Sequence, residues 1–161
     1  MHIRYTGVPI QKPGHCALRK GRSSELGRLY LVSIVTYNRE PLFRDLFTGR
    51  IVVSEMRRLQ DEGYVQSKAW VIMPDHLHWL FDLTGAKDLT GVIKLLKGRS
   101  ARKINVYLMR KETVWSKAFH DHALRKEEDI RGIARYIVNN PIRAGLVAHI
   151  REYSLWDAEW I

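Results

Sequence analysis

His76-Leu77-His78 places two imidazoles one residue apart inside an otherwise apolar run from Val71 to Phe81. Side chains alternate across a β-strand, so at this spacing both rings project from one face while Leu77 points to the other. Two imidazoles on one rigid face are suited to chelating a divalent metal. The same spacing also describes two solvent-facing histidines on a sheet. The apolar setting favours the first reading, because a histidine drawn into such surroundings needs a polar partner. Asp75, next to the first histidine, has the chemistry of a group that orients a ligating ring.

A second group lies in Arg135-Tyr136-Ile137-Val138-Asn139-Asn140-Pro141. Tyr136 and Asn140 are four apart and share a face at the end of a helix. A phenol, with a free pKa of about 10, is a poor nucleophile. A metal that polarises a phosphodiester and offsets its charge makes attack by such a group feasible, and the Asn140 amide oxygen can complete the metal's shell. The spacing is equally that of a tyrosine packed in the core and an asparagine capping a helix. His120 and His122 form another His-x-His, read as strand-end or DNA-contacting residues with metal binding as the alternative. Cys16, the chain's one cysteine, excludes an internal disulfide and fits a reducing cytoplasm. Its neighbours Pro13-Gly14-His15 look like a turn rather than an activating site.

Charge points to the partner. Lys and Arg number 27 against 17 Asp and Glu, a formal net charge of +10 on 161 residues. Such an excess on a small domain favours a polyanion, most commonly nucleic acid; the alternative is a solvated basic surface. Lys20 and Arg22 sit in a basic N-terminal arm over residues 1–28. Lys94, Lys97, Arg99, Arg102 and Lys103, with Arg110 and Lys111 beyond them, lie between the apolar positions of a long helix, where they can track a phosphate backbone. Trp70, Trp79, Trp115, Phe119, Tyr153, Trp156 and Trp160 offer stacking surface for unpaired bases or simply core. No apolar run approaches the about 20 residues that span a membrane, and the N-terminus lacks the apolar core of a signal peptide.

The elements that must position these groups follow from periodicity. Leu29–Tyr37 is β-branched and aromatic and reads as a strand. A helix is predicted from about Phe43 to Gln60, closed by Gly63. Tyr64–Met73 and His76–Leu83 read as two strands joined at Pro74-Asp75. A long helix is expected over Asp88–Lys111, a strand over Val114–His120, and a last helix over Glu127–Val138, stopped by Asn139-Asn140-Pro141 because Pro141 disfavours helix at Asn140. The order β-α-β-β-α-β is the split pattern of ferredoxin-like, RRM-like α+β folds: one antiparallel sheet with two helices on one face, leaving the other for an additional C-terminal helix that carries the tyrosine. One domain over 1–161 is expected, with 148–161 as a C-terminal tail in which Trp156 and Trp160 can pin the chain to the body.

Taken together these residues resemble the REP-associated tyrosine transposases, relatives of the IS200/IS605 single-tyrosine transposases. The resemblance runs from about Arg28 to Trp156. It rests on Val35-Thr36-Tyr37-Asn38-Arg39, on Met73-Pro74-Asp75-His76-Leu77-His78, on Leu96 to Asn105, and most specifically on Tyr136-Ile137-Val138-Asn139-Asn140-Pro141-Ile142-Arg143-Ala144-Gly145-Leu146-Val147. It implies that His76, His78 and Asn140 hold Mg²⁺ or Mn²⁺ and that Tyr136 attacks single-stranded DNA to leave a 5′-phosphotyrosine and a free 3′-hydroxyl. It further implies that short palindromic hairpins are recognised, with Arg143 among the DNA contacts, and that the protein is a monomer where the IS200/IS605 relatives pair. Those relatives often carry Gln where this chain has the shorter Asn140. The competing readings are a hairpin-binding module that does not cut, and a metal-dependent nuclease that uses water.

Overall fold

A computed structural model describes residues 25, 27–126 and 128–160. Lys20, Arg22, Cys16 and most of the expected basic arm lie outside these. Strand β1 (Leu29–Val35) leads through a 3-10 turn at Leu42–Arg44 to helix α1 (Leu46–Asp61); β2 (Val65–Met73) and β3 (His76–Leu83) follow as a hairpin. Then come α2 (Leu89–Tyr107), β4 (His120–Ala123), α3 (Ile130–Val138), the short α4 (Asn140–Arg143) and β5 (Trp156–Ala158). Among the described residues five strands form one sheet in the order β4-β1-β3-β2-β5, every pair antiparallel. The first four strands have the ferredoxin-like arrangement expected from the element order.

Period-two alternation gives the sheet two distinct faces. Tyr30, Val32 and Ile34 of β1 and Leu77, Trp79, Phe81 and Leu83 of β3 are buried on one face beneath α1 and α2, through Val52, Met56, Leu59, Val92, Ile93, Leu96 and Ile104. The opposite face buries Ala69 and Leu80 under Ala134, Ile137 and Val138 of α3, with Leu29 and Leu31 at its margin. Antiparallel register sets Ser33 opposite His78 and Leu31 opposite Leu80, so the histidine pair belongs to the α3 face.

Four elements depart from the sequence reading. The first helix starts later than Phe43, because Asp45 accepts a hydrogen bond from the Phe47 amide (2.8 Å) and caps it. The second stops at Tyr107, followed by Met109 in the left-handed region at φ 54°, rather than at Lys111. The expected strand at Val114–His120 is instead an irregular segment with a single bridge, Thr36 to Trp115. Its carbonyls at Ser116, Lys117 and Ala118 accept from the Lys97 ammonium (2.8, 3.2 and 3.2 Å) instead of pairing in a ladder, and the strand proper begins at His120. The last helix begins at Ile130, capped by Asp129, which accepts from the Gly132 amide; Glu127 lies outside the described residues. Beyond these, the C-terminal segment holds a strand that periodicity did not reveal. β5 pairs Ala158 with Ala69 and Trp156 with Val71, covering the β2 edge, while the Tyr153 hydroxyl donates to the Ile72 carbonyl (2.6 Å) and Leu155 enters the core. Trp79 and Trp115 are buried at 0% and 6%, so they serve as core rather than as base-stacking surface.

Candidate active site

β3 holds His76 and His78 on one face, with ring centroids 4.8 Å apart and planes at 82°. Each ring has one nitrogen committed to the protein. The His76 Nδ1–H donates to Asp75 Oδ1 at 2.6 Å; a carboxylate only accepts, so Nε2 is the nitrogen this contact leaves to face a ligand. His78 Nδ1 lies 2.6 Å from Ser33 Oγ on β1. With Nδ1 donating to that hydroxyl, the second Nε2 is also left for a ligand. Ser33 is the residue the sequence reading missed. Its one signal is a polar side chain breaking the apolar alternation Leu29, Leu31, Ser33 on the α3 face.

Asp75 is itself held. Burial pushes its carboxyl up, but the His76 hydrogen bond and the charges of His76 and Arg39 outweigh this and leave it below the usual range. Arg39 pairs with it at 3.4 Å. The buried Thr36 hydroxyl donates to the Asp75 carbonyl (3.0 Å), and the Phe43 amide to that of Pro74 (3.0 Å). Asn38 and Arg39 both take left-handed backbone, at φ 52° and 56°. Such conformations persist in non-glycine residues only where surrounding contacts over-determine them, and here they turn the chain from β1 back onto the histidine hairpin. His78 is depressed to about 3 by burial first and then by the charges of His76 and Arg143. It is therefore neutral at physiological pH, the form a metal needs.

α3 brings the second group. Ala134, Ile137 and Val138 face the sheet, and Tyr136, off that stripe, is 42% exposed. Arg131 and Arg135 are exposed on the same helix. Pro141 cannot donate to a carbonyl one turn back, so the helix breaks and α4 starts at Asn140. Tyr136 and Asn140 thus do not share one continuous helix. Two carbonyls at the break are satisfied by side chains: that of Ile137 by Asn140 Nδ2 (2.9 Å) and that of Tyr136 by Arg143 Nη1 (2.6 Å). Arg143 Nη2 donates to Asn140 Oδ1 (2.8 Å), and its guanidinium carbon stands 3.8 Å from the Tyr136 ring centroid. Arg143 thus touches both Tyr136 and Asn140, and α3 packs on the sheet face that carries the histidine pair.

The remaining expected contacts are dispersed. α2 packs on the other face of the sheet from the histidines. Lys97 is engaged with loop carbonyls, Arg99 pairs with Glu62 at 2.8 Å, and Lys103 pairs with the fully buried Glu55; Lys94 and Arg102 are exposed. His122 Nε2 is 2.8 Å from Glu128. His120 is exposed on edge strand β4 opposite Ser33. Among the described residues no group of three or more His, Cys, Asp or Glu is placed to hold a metal. The donor set is two oriented imidazole nitrogens; imidazole alone suits a borderline divalent ion, and a harder one would need oxygen ligands from other groups or from substrate to fill its shell.

Known proteins decide the family. Residues 28–140 match the model of the IS200-like transposases. The chain belongs to that family. Among its members, a REP-associated tyrosine transposase of Escherichia coli K12 is 28% identical over 86 residues, 53% of this chain and 49% of that protein; the match spans about half of that relative's length. The ISDra2 transposase TnpA of Deinococcus radiodurans is 27% identical over 115 residues, 70% of this chain and 76% of that one. In fold, this family member is similar to a REP-associated tyrosine transposase solved bound to a REP hairpin, with a TM-score of 0.70, 19% identity, and 84% of this chain and 79% of that one covered. Among the described residues of this IS200-like chain no helix is long and apolar enough to cross a membrane.

Proposed function

We propose that the protein cleaves and rejoins single-stranded DNA beside a hairpin, using Tyr136 as nucleophile. The observation that carries this reading is the arrangement on one sheet face: two histidines with their Nδ1 atoms already engaged, and α3 packed on that same face with Tyr136 exposed at its end. His76 and His78 would hold Mg²⁺ or Mn²⁺, with Asn140 as a further oxygen donor; when bound, the ion supplies Lewis-acid polarisation of the scissile phosphate. Tyr136 Oη then forms a bond to phosphorus as the P–O3′ bond breaks. The phenol proton departs, the 3′-oxygen ends as a hydroxyl, and the 5′-phosphate stays on Tyr136. A 3′-hydroxyl from another end reverses the step and joins strands without an outside energy source.

The structural neighbour holds a REP hairpin, which supports a hairpin substrate here. Exposed Arg131, Arg135 and Arg143 on the site face would meet the strand, and Lys94 and Arg102 of α2, with Lys20 and Arg22 of the arm, a stem that passes around the sheet edge. The protein acts as a monomer in this reading, in the cytoplasm where its DNA is. The test is a denaturing gel of protein with Mn²⁺ and a labelled single strand carrying a hairpin repeat from the gene's flanks. A protein-sized shift of the label is expected, lost in Tyr136→Phe and with EDTA. Native-gel binding without covalent product, for every flanking repeat, would leave a hairpin-binding module; cleavage that survives Tyr136→Phe would leave a nuclease that uses water.

A further inference from the structure

Three strands carry one transverse row of side chains on the site face. Register pairs Ser33 of β1 with His78 of β3 on one side and with His120 of β4 on the other. Residues directly opposite in antiparallel strands share a face, so His78, Ser33 and His120 stand side by side. Two strand spacings set the Cα atoms of the two histidines about 10 Å apart. His78 and Ser33 are bonded to each other. His120 differs: it is exposed, and among the described residues its ring has no hydrogen bond or ion pair. His122, the next residue on that face, is opposite Leu31 and tied to Glu128, while Asp121 lies opposite Val32 on the other face. Beyond the histidine pair, His120 is thus the ring in this row that is available to a bound molecule.

We propose that His120 is the acid that protonates the 3′-oxygen as it leaves, and the base that takes that proton back when strands are rejoined. This rests on the tyrosine reading above. In phosphoryl transfer the attacking and leaving oxygens lie roughly in line across phosphorus. α3 and α4 pack against β2, to one side of the histidine strand, and β4 lies to the other. A phosphate at the histidine pair that meets Tyr136 from the β2 side therefore turns its 3′-oxygen towards β4, where His120 stands. An alkoxide leaves poorly unless a proton arrives as its bond breaks, and imidazole is the side chain that gives and takes protons near neutral pH. The step balances. Tyr136 Oη bonds to phosphorus and releases its proton to solvent; the P–O3′ electron pair goes to oxygen; the His120 imidazolium supplies the proton of the new 3′-hydroxyl; solvent returns a proton to the ring. Rejoining runs the same path backwards, with the neutral ring taking the proton of the incoming 3′-hydroxyl.

The test replaces the bridging 3′-oxygen by sulfur. A thiolate leaves without needing a proton, so a protein that has lost its acid regains speed on such a strand. The flanking hairpin strand is made with oxygen and with sulfur at the bond that the wild type cuts, and covalent adduct formation with Mn²⁺ is timed for wild type and His120→Ala. On the oxygen strand His120→Ala is expected to be slower by on the order of 10²- to 10⁴-fold, the range of one positioned acid; on the sulfur strand it is expected to match wild type. Mn²⁺ affinity and the urea midpoint are expected to stay unchanged, because the ring is exposed and unbonded. Equal slowing on both strands would make His120 a strand contact and overturn the proposal; so would a variant as fast as wild type on the oxygen strand. Weakened Mn²⁺ binding in His120→Ala would make the ring a metal ligand and overturn it as well. If the wild type forms no adduct on the oxygen strand, the tyrosine reading itself fails and takes this role with it. A wild-type adduct at Tyr136, with no sulfur rescue of the variant, leaves that reading standing and removes the role of His120 alone.

Discussion

Each histidine of the pair has one ring nitrogen fixed by the protein, and single substitutions can test what that fixing does. Ser33→Ala removes the partner of His78 Nδ1 and leaves ring and strand in place. It is expected to weaken Mn²⁺ binding by about tenfold, at the low end for loss of a group that orients a ligand, with a stability change under about 1 kcal/mol; titration with Mn²⁺ and urea unfolding check the two together. His78 also sets a pH dependence. Its folded value, about 3, lies below the ordinary 6.5, so the unfolded chain takes up this proton first. The metal-free protein therefore keeps the full contribution above about 6.5 and loses it as pH falls towards about 3, by at most about 1.4 kcal/mol per pH unit. Urea midpoints at about pH 7.5 and about pH 5 are expected to differ more for wild type than for His78→Gln; equal differences would show that the ring is not desolvated in the folded protein.

At the scale of elements, α1 and α2 are joined by a pair that looks like surface charge from the sequence. Lys103 reaches Glu55, whose side chain is fully buried. Glu55 is buried but Lys103 is half-exposed, so Lys103→Ala leaves a buried carboxylate without its cation and is expected to cost about 1 to 3 kcal/mol of folding stability. If Lys103 served chiefly as a phosphate contact, the same substitution would leave the unfolding midpoint alone and weaken DNA binding. The helices also show how a site is assembled from parts with different jobs. β3 supplies rigidity, because Leu77 and Trp79 between and beyond the histidines are fully buried on the opposite face. α3 supplies exposure: its buried stripe of Ala134, Ile137 and Val138 leaves Tyr136 to solvent, and the break at Pro141 brings Arg143 back over it.

Across the whole molecule, the sheet divides chemistry from scaffold. α1 and α2 cover one face, and the histidines, α3 and α4 share the other. A net charge of +10 predicts DNA affinity that falls steeply with salt, but the two faces contribute unequally. Arg135→Ala, beside Tyr136 on the site face, is expected to flatten the plot of log affinity against log salt by about 0.7 to 0.9, one phosphate contact. Arg99→Ala, which loses a residue already paired with Glu62 on the far face, is expected to leave the slope unchanged; equal flattening by both would mean that DNA wraps the α2 face as closely as the site.

What the sequence alone determined is what neighbouring residues encode. Alternation over His76–Leu83 set both histidines on one face and marked a strand whose ends the structure reproduces. The succession of periods gave β-α-β-β-α-β, and the string from Tyr136 to Val147, taken with the histidine motif, pointed to the family. What only tertiary structure decided is what distant residues do on meeting. Ser33 and His78 are 45 positions apart, and their bond follows from strand register, which pairs elements through the backbone and leaves no mark in either segment. The β5 strand exists because the β2 edge was open to be paired, and its three residues carry too short a pattern to read. The roles of Lys97, Arg99 and Lys103 were hidden for the same reason: a charge on a helix looks alike in sequence whether it faces solvent, a loop's carbonyls or a buried carboxylate, and only the packing of one element on another distinguishes them.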